Sequence, residues 1–169
     1  MKKIFLVLFI VNLAVPAFCQ QDVNQQRNNE PAKSHEAQFG NCTRKALTDS
    51  LFLFEYRYYK PDISSIYALR PILVEISITV VLGTKREDSQ NHIPHFFKIM
   101  DMMKGYDNYH LICIDRNKQA VPVSVAGLNI VKVPTFIVYR KGIEIGRIVE
   151  TPKQNLEKDL LAIIVKERN

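Results

Sequence analysis

The sequence predicts an α/β domain in which helices flank a central mixed β-sheet. The evidence is the order of its elements, which is strand, helix, strand, then a strand hairpin and a closing helix. A strand-helix-strand unit implies parallel pairing through a right-handed crossover. The hairpin that turns at Lys141–Gly142 adds antiparallel strands. We therefore expect one small mixed sheet with helices on both of its faces.

The chain begins with the pattern of a secretory signal peptide over residues 1–19. Met1–Lys3 is basic, Ile4–Val15 is almost continuously apolar, and small residues stand at Ala17 and Cys19. The apolar run is shorter than the ~20 residues of a membrane span. We expect export and cleavage, with no membrane span left in the mature chain. A retained anchor and a lipid anchor on Cys19 are the alternatives.

Residues 20–41 predict a disordered polar linker, because they hold almost no large apolar side chains. The folded domain then covers residues 42–169 and opens with a helical extension over 43–70. Its first helix, Thr43–Tyr59, has apolar residues at helical spacing: Ala46, Leu47, Leu51, Phe54 and Tyr58. We expect three tyrosines to pack this helix on the domain, with an exposed aromatic contact patch as the alternative: Tyr56, Tyr58 and Tyr59.

A second short helix follows Pro61, with Asp62 as its cap and Leu69 near its end. The core spans residues 72–165. Its first strand, rich in β-branched residues, is followed by the turn Gly83–Glu87 and a helix that reaches about Met103. Asp88 or Ser89 would cap this helix, and Pro94 lies inside it. The predicted strands are Ile72–Leu82, Tyr109–Asp115, Thr135–Tyr139 and Ile143–Val149, and the last helix is Asn155–Val165.

The charge of the chain argues against nucleic-acid binding. The formal net charge is +6, and Lys2 and Lys3 carry two of these charges, which leaves +4 after cleavage. The remaining bases are spread along the chain, whereas a nucleic-acid partner requires a concentrated basic stripe.

Two cysteines, Cys42 and Cys113, remain after the leader. An exported protein could pair them. Cys113 lies in the apolar run LICID, where a cysteine usually acts as a small hydrophobic residue. We expect two free thiols, with a disulfide as the alternative.

Three segments resemble the thioredoxin family over residues 72–165. The first is the strand-turn-helix Val80–Met100, which contains GTKREDSQ. The second is Lys132–Phe136, KVPTF, in which a proline opens a strand. The third is the ending from Gly142 to Ile164. The chain is most similar to exported Bacteroidetes-type thioredoxin-like proteins, whose site reads GTWCEDSQ. The resemblance implies a periplasmic or cell-envelope protein.

The resemblance assigns roles residue by residue. Lys85 stands in place of the tryptophan, Arg86 in place of the nucleophilic cysteine, and Ser89 where thioredoxins have the resolving cysteine. Val80 stands where many thioredoxins have a buried acid. Pro134 matches the proline that is cis in the family. Arginine cannot act as the nucleophile, because its guanidinium does not deprotonate in proteins.

The resemblance therefore implies a protein or peptide-binding module without catalytic residues or cofactors. Its site-equivalent positions are Lys85, Arg86, Glu87, Asp88 and Ser89. The peptide groove would include Val133, Pro134 and Thr135. The alternatives are a thiol-disulfide oxidoreductase and a helper of a cysteine-bearing paralogue. The charges of the turn predict either local ion pairs or a recognition patch beside Pro134.

Three candidate metal ligands lie on the helix that follows the turn. Asp88, His92 and His95 are spaced i, i+4, i+7, so they share a helix face. Pro94 distorts that helix and no fourth ligand is evident, so we expect no metal.

Overall fold

Five strands form one mixed sheet in the computed structural model, which describes residues 40–47, 49–83, 87–115 and 124–167. Across the sheet the order is β1-β3-β2-β4-β5. β2 and β3 are parallel, and the other neighbouring pairs are antiparallel. The strands are β1 (Gly40–Asn41), β2 (Ile76–Leu82), β3 (Tyr109–Cys113), β4 (Thr135–Arg140) and β5 (Ile143–Val149). With four α-helices this is the predicted α/β class.

The central strand β2 starts four residues later than the sequence predicts. Arg70–Glu75 forms a 3₁₀ helix, with Pro71 in its first turn, where a missing N–H group is tolerated. The apolar run from Ile72 therefore divides between a 3₁₀ turn and a strand. Most β2 side chains are buried on both faces of the sheet, as a β-branched run in a central strand predicts.

The described residues also form four α-helices, and side-chain caps are seen at three of them. The helices are α1 (Ser50–Tyr58), α2 (Ile63–Leu69), α3 (Glu87–Met102) and α4 (Leu156–Lys166). Asp49, Asp62 and Asn155 accept hydrogen bonds from backbone N–H groups in the first turns of α1, α2 and α4. Such a cap contributes about 1 kcal/mol. The predicted cap at Asp62 is confirmed.

The two faces of the sheet are covered differently. Side chains from all four α-helices pack into one core cluster with β2, β3, β4 and β5. On the opposite face, Val81, Ile112 and Ile114 pack against a loop. The loop side chains are Val125, Leu128, Ile130 and Val133. Within the described ranges no α-helix covers this face, whereas we had expected helices on both.

α1 buries a different face from the one that the sequence predicts. Phe52 is buried, and Tyr56 and Tyr59 are partly buried against the core. Phe54 and Tyr58, two members of the predicted inner face, are exposed. The chain forms a separate 3₁₀ turn at Arg44–Leu47 before α1. A helix extrapolated from Thr43 is therefore rotated relative to the observed one, and the expectation for Tyr58 was wrong.

Cys42 and Cys113 form a disulfide, so the expectation of two free thiols was wrong. β1 pairs with β3, with Gly40 opposite Cys113, and the Cys42 N–H donates to the Leu111 carbonyl. This pairing brings the two Cα atoms within 5.8 Å, inside the range for disulfides. A two-residue strand has no side-chain periodicity, so β1 could not be predicted from the sequence.

The predicted leader and the polar segment up to residue 39 lie outside the described residues. Across the ranges that the structure does describe, none of the helices has the length and apolar character needed to cross a bilayer.

Candidate functional site

The segments that the sequence assigns to the site meet at one end of the sheet. β2 and β4 are antiparallel, with Val81 opposite Thr135. Continuing this register by two residues places Gly83 beside Val133. The end of β2 and the start of β4 are therefore neighbours where the groove is predicted, and residues 84–86 of the turn lie outside the described residues.

The charged part of the turn is only partly described. Lys85 and Arg86 lie outside the described residues. Glu87 is the first residue of α3, and Asp88 follows it. The prediction of local ion pairs or of a recognition patch by these residues stays untested.

Ser89 has a structural contact at the start of α3. Its side chain is only 2% exposed, and its hydroxyl accepts a hydrogen bond of 3.2 Å from the Gly83 backbone N–H. Because α3 begins at Glu87, Ser89 lies inside the first turn and is not the N-cap. Its hydroxyl joins the end of β2 to α3.

The loop before β4 is fixed by contacts at both ends. The Val133–Pro134 peptide is cis, the isomer that the resemblance implies, and Pro134 is buried. The Thr135 hydroxyl donates to the Lys132 carbonyl at 2.6 Å, and the Glu150 N–H donates to the Pro134 carbonyl at 2.7 Å. Lys132 and Glu150 also form an ion pair. These contacts hold the loop against β5.

The backbone of Val133, in the loop before β4, stays available. Within the described part of the chain, neither its N–H nor its C=O has a hydrogen-bond partner. Its side chain packs against the loop-covered face of the sheet. A donor and an acceptor of the main chain can therefore bind a ligand beside Gly83.

The disulfide lies on the other side of β2 from this loop. Cys113 is opposite Leu82 on the β3 side, whereas Thr135 is opposite Val81 on the β4 side. Neither cysteine carries a free thiol. Among the described residues, no free thiol lies at the groove.

Of the candidate metal ligands, His92 and His95 lie side by side with ring centroids 5.8 Å apart, and the side chain of Asp88 lies outside the described residues. His95 Nε2 lies 3.1 Å from a Glu55 carboxylate oxygen, and the imidazole stacks on the Tyr59 ring at 3.7 Å. Burial lowers the pKa of His95 below its usual value, and Glu55 opposes this shift. In the described ranges, no group of three or more His, Cys, Asp or Glu side chains is placed to hold a metal ion.

Sequence reasoning missed Glu157, a carboxylate buried in the first turn of α4. It accepts hydrogen bonds from the Tyr59 hydroxyl at 2.7 Å and from the Asp62 N–H at 2.6 Å. Burial and this carboxylate both raise the pKa of Tyr59 above its usual range. In the sequence, Glu157 looks like an ordinary acid at a helix N-terminus. Its role depends on the connection between α1 and α2, which only the fold reveals.

Comparisons with known proteins give a fold but no family. No protein-family model and no curated protein matches the sequence. A protein of unknown function from Pseudomonas aeruginosa matches the structure with a TM-score of 0.56 and 14% identity, over 75% of this chain and 93% of its own. An HIV epitope scaffold matches with a TM-score of 0.44 and 16% identity, over 68% and 70%. The first match supports a shared α/β fold and is compatible with a thioredoxin-like one.

Proposed function

We propose that this chain is an exported thioredoxin-like protein that lacks the catalytic dithiol and binds an extended segment of a partner protein. The binding groove lies between Gly83–Ser89 and Val133–Thr135. The observation that carries the proposal is the unpaired main chain of Val133 beside the turn after β2.

The order of elements supports the thioredoxin-like part of the proposal. β2, α3 and β3 form a parallel strand-helix-strand unit. β4, β5 and α4 form an antiparallel hairpin followed by a helix that packs in the same core cluster. This is the arrangement that the resemblance of residues 72–165 implies.

The free main chain of Val133 supports binding of an extended peptide. A peptide in strand conformation offers alternating N–H and C=O groups, and pairing them with an unpaired strand segment is a common recognition mode. The Pro134 carbonyl is already bonded to the Glu150 N–H. Val133 is therefore the position at which a peptide can pair without breaking an observed hydrogen bond.

The state of the cysteines supports peptide binding rather than thiol-disulfide exchange. Thiol-disulfide exchange starts from a thiolate. In the described residues both cysteines are joined to each other, on the far side of β2. The position that the resemblance assigns to the nucleophile is Arg86, which supplies no thiolate.

The disulfide also supports export to the periplasm or cell envelope, because disulfides persist in oxidising compartments and are rare in the cytosol. Thiol labelling of the unreduced protein in cell fractions tests this part. Labelled Cys42 and Cys113 in the native protein would contradict it.

A peptide selected from a random-sequence display library tests the groove. We expect the selected peptide to shift the NMR resonances of the Val133 and Gly83 amides, and to leave those of Asn155 and Lys166 unchanged. Asn155 and Lys166 are the matched controls because they mark the two ends of α4.

The same peptide with its backbone amides methylated at alternate residues is the ligand control. It keeps the side chains but cannot donate the main-chain hydrogen bonds, so we expect its affinity to fall at least tenfold. Equal binding of both peptides, or shifts confined to residues away from Val133, would refute the groove.

A further inference from the structure

α1 carries apolar side chains on the side that faces away from the core. Its inner side is formed by Phe52, Tyr56 and Tyr59. The outer face of α1 is defined here as Leu51, Leu53, Phe54, Arg57 and Tyr58, all of which are exposed. Leu53, Phe54 and Tyr58 are 55%, 56% and 62% exposed.

The apolar residues of the outer face form a continuous surface along the helix. Phe54 and Tyr58 are one turn apart, and their ring centroids are 4.6 Å apart. Leu51 lies one turn before Phe54 on the same side. A helix that is apolar on its inner and outer sides has a second surface to cover.

The charges on this surface have one sign. Arg57 lies within the outer face, and the exposed Lys60 lies two residues beyond the end of α1. The neighbouring carboxylates are engaged elsewhere, since Glu55 contacts His95, and Asp49 caps the helix and accepts from the Gln90 amide. From residue 50 to residue 60, a stretch that is fully described, no carboxylate lies on the outer face.

We propose that the outer face of α1 docks on a lipid bilayer that contains anionic phospholipids. Aromatic and aliphatic side chains enter the interface between headgroups and acyl chains. Tyr58 can keep its hydroxyl at the headgroup level. Arg57 and Lys60 meet the lipid phosphates, and each contributes about a fivefold gain in affinity for an anionic surface. The domain would then hold its peptide groove near the membrane.

A second copy of the chain is the competing occupant of this surface. A two-fold contact repeats the same patch on both subunits. Centred on Phe54, it would bring two Arg57 side chains into one interface without a carboxylate to pair them. Like charges in a contact disfavour it. The charge pattern therefore favours an anionic lipid surface over self-association.

Tryptophan fluorescence can test this site by itself, because the chain contains no tryptophan. Phe54→Trp places a single reporter on the outer face. Ile143→Trp places the control reporter on β5, at a side chain that is 72% exposed. The probes are vesicles of phosphatidylglycerol and phosphatidylcholine in equal parts, and vesicles of phosphatidylcholine alone.

We expect the emission of Phe54→Trp to shift to the blue on the anionic vesicles and to be quenched by brominated acyl chains. Ile143→Trp should show neither effect. Because each reporter senses only its own position, the comparison separates α1 from any other lipid-binding segment, including the predicted leader at Ile4–Val15.

Charge variants test the basic part of the surface. In the Phe54→Trp protein, Arg57→Gln with Lys60→Gln should raise about 30-fold the lipid concentration that gives half of the emission shift. The matched control is Lys153→Gln with Lys166→Gln, which removes two exposed bases elsewhere. It should leave the lipid concentration at half of the emission shift unchanged.

Three results would overturn the proposal. The first is an unchanged Phe54→Trp emission on anionic vesicles, and the second is equal quenching at Ile143→Trp. The third is a blue shift without lipid that grows with protein concentration, which would assign the surface to a second copy. Circular dichroism of each variant confirms folding, since Phe54 and Ile143 are exposed.

Discussion

At the scale of single residues, His95 links α1, α3 and the buried acid of α4. Its ring stacks on Tyr59, and its Nε2 lies beside Glu55. The field of Glu157 also acts on it. Burial is the largest influence and lowers the pKa of His95 in the folded protein. The histidine therefore favours the folded state only while it is neutral.

The lowered pKa predicts that acid destabilises the fold through His95. The unfolded chain, with a histidine pKa near 6.5, binds more protons than the folded chain just below that pH, so stability falls as the pH drops. His95→Gln should flatten the loss of unfolding free energy between about pH 7 and pH 5. Urea titrations at several pH values across this range measure the unfolding free energy.

His110→Gln is the control for this prediction, because His110 is an exposed histidine on β3. It should keep the slope of the unmodified protein. If His95→Gln has that same slope, the acid response belongs to the carboxylates and not to His95.

At the scale of elements, the disulfide fastens the short strand β1 to β3. β1 has only two residues, and its pairing with β3 is too short to be stable alone. The bond connects residues 71 positions apart in the sequence. In the chain-entropy model, closing a loop of this length in the unfolded state contributes about 4 kcal/mol.

We expect dithiothreitol to lower the urea midpoint of unfolding of the unmodified protein, because it releases this loop. The double variant Cys42→Ala with Cys113→Ala should unfold at the reduced protein's midpoint, and dithiothreitol should not change it further. If the reductant has no effect on the unmodified protein, β1 is held by its own pairing and not by the bond.

At the scale of the whole molecule, the proposed lack of redox chemistry predicts no reductase activity. With dithiothreitol as electron donor, the protein should reduce insulin no faster than a heat-killed sample, because no thiolate lies at the groove in the described part of the chain. Turnover that disappears in the Cys42→Ala, Cys113→Ala variant would instead assign redox chemistry to the disulfide.

The sequence predicted the central elements well, because they carry strong periodic signals. α3, the β4–β5 hairpin and α4 lie where the β-branched runs and helical spacing place them, and β2 ends at the predicted Leu82 but starts later. In α3 and directly after its last residue, the five apolar residues that follow helical spacing are all buried: Ile93, Phe96, Phe97, Met100 and Met103. Each of these elements contains its own run of buried apolar residues, so its own sequence is enough to predict its structure.

The missed features depend on contacts between distant segments. The disulfide follows from a two-residue strand, and the inner face of α1 follows from where the preceding 3₁₀ turn ends. Glu157 is buried because the linker between α1 and α2 crosses α4. For the site, the sequence predicted that the turn and the loop before β4 adjoin, but it gave no sign that Ser89 is buried against Gly83.

The segment of residues 124–134 contributes to two parts of the molecule. Side chains of residues 124–134 cover Val81, Ile112 and Ile114 on a face where the sequence predicted helices, and the end of the same segment forms one wall of the proposed groove. A ligand that pairs with Val133 would therefore also stabilise the segment that covers Val81, Ile112 and Ile114. Ligand binding should then raise the melting temperature of the protein, which can be measured without a labelled ligand.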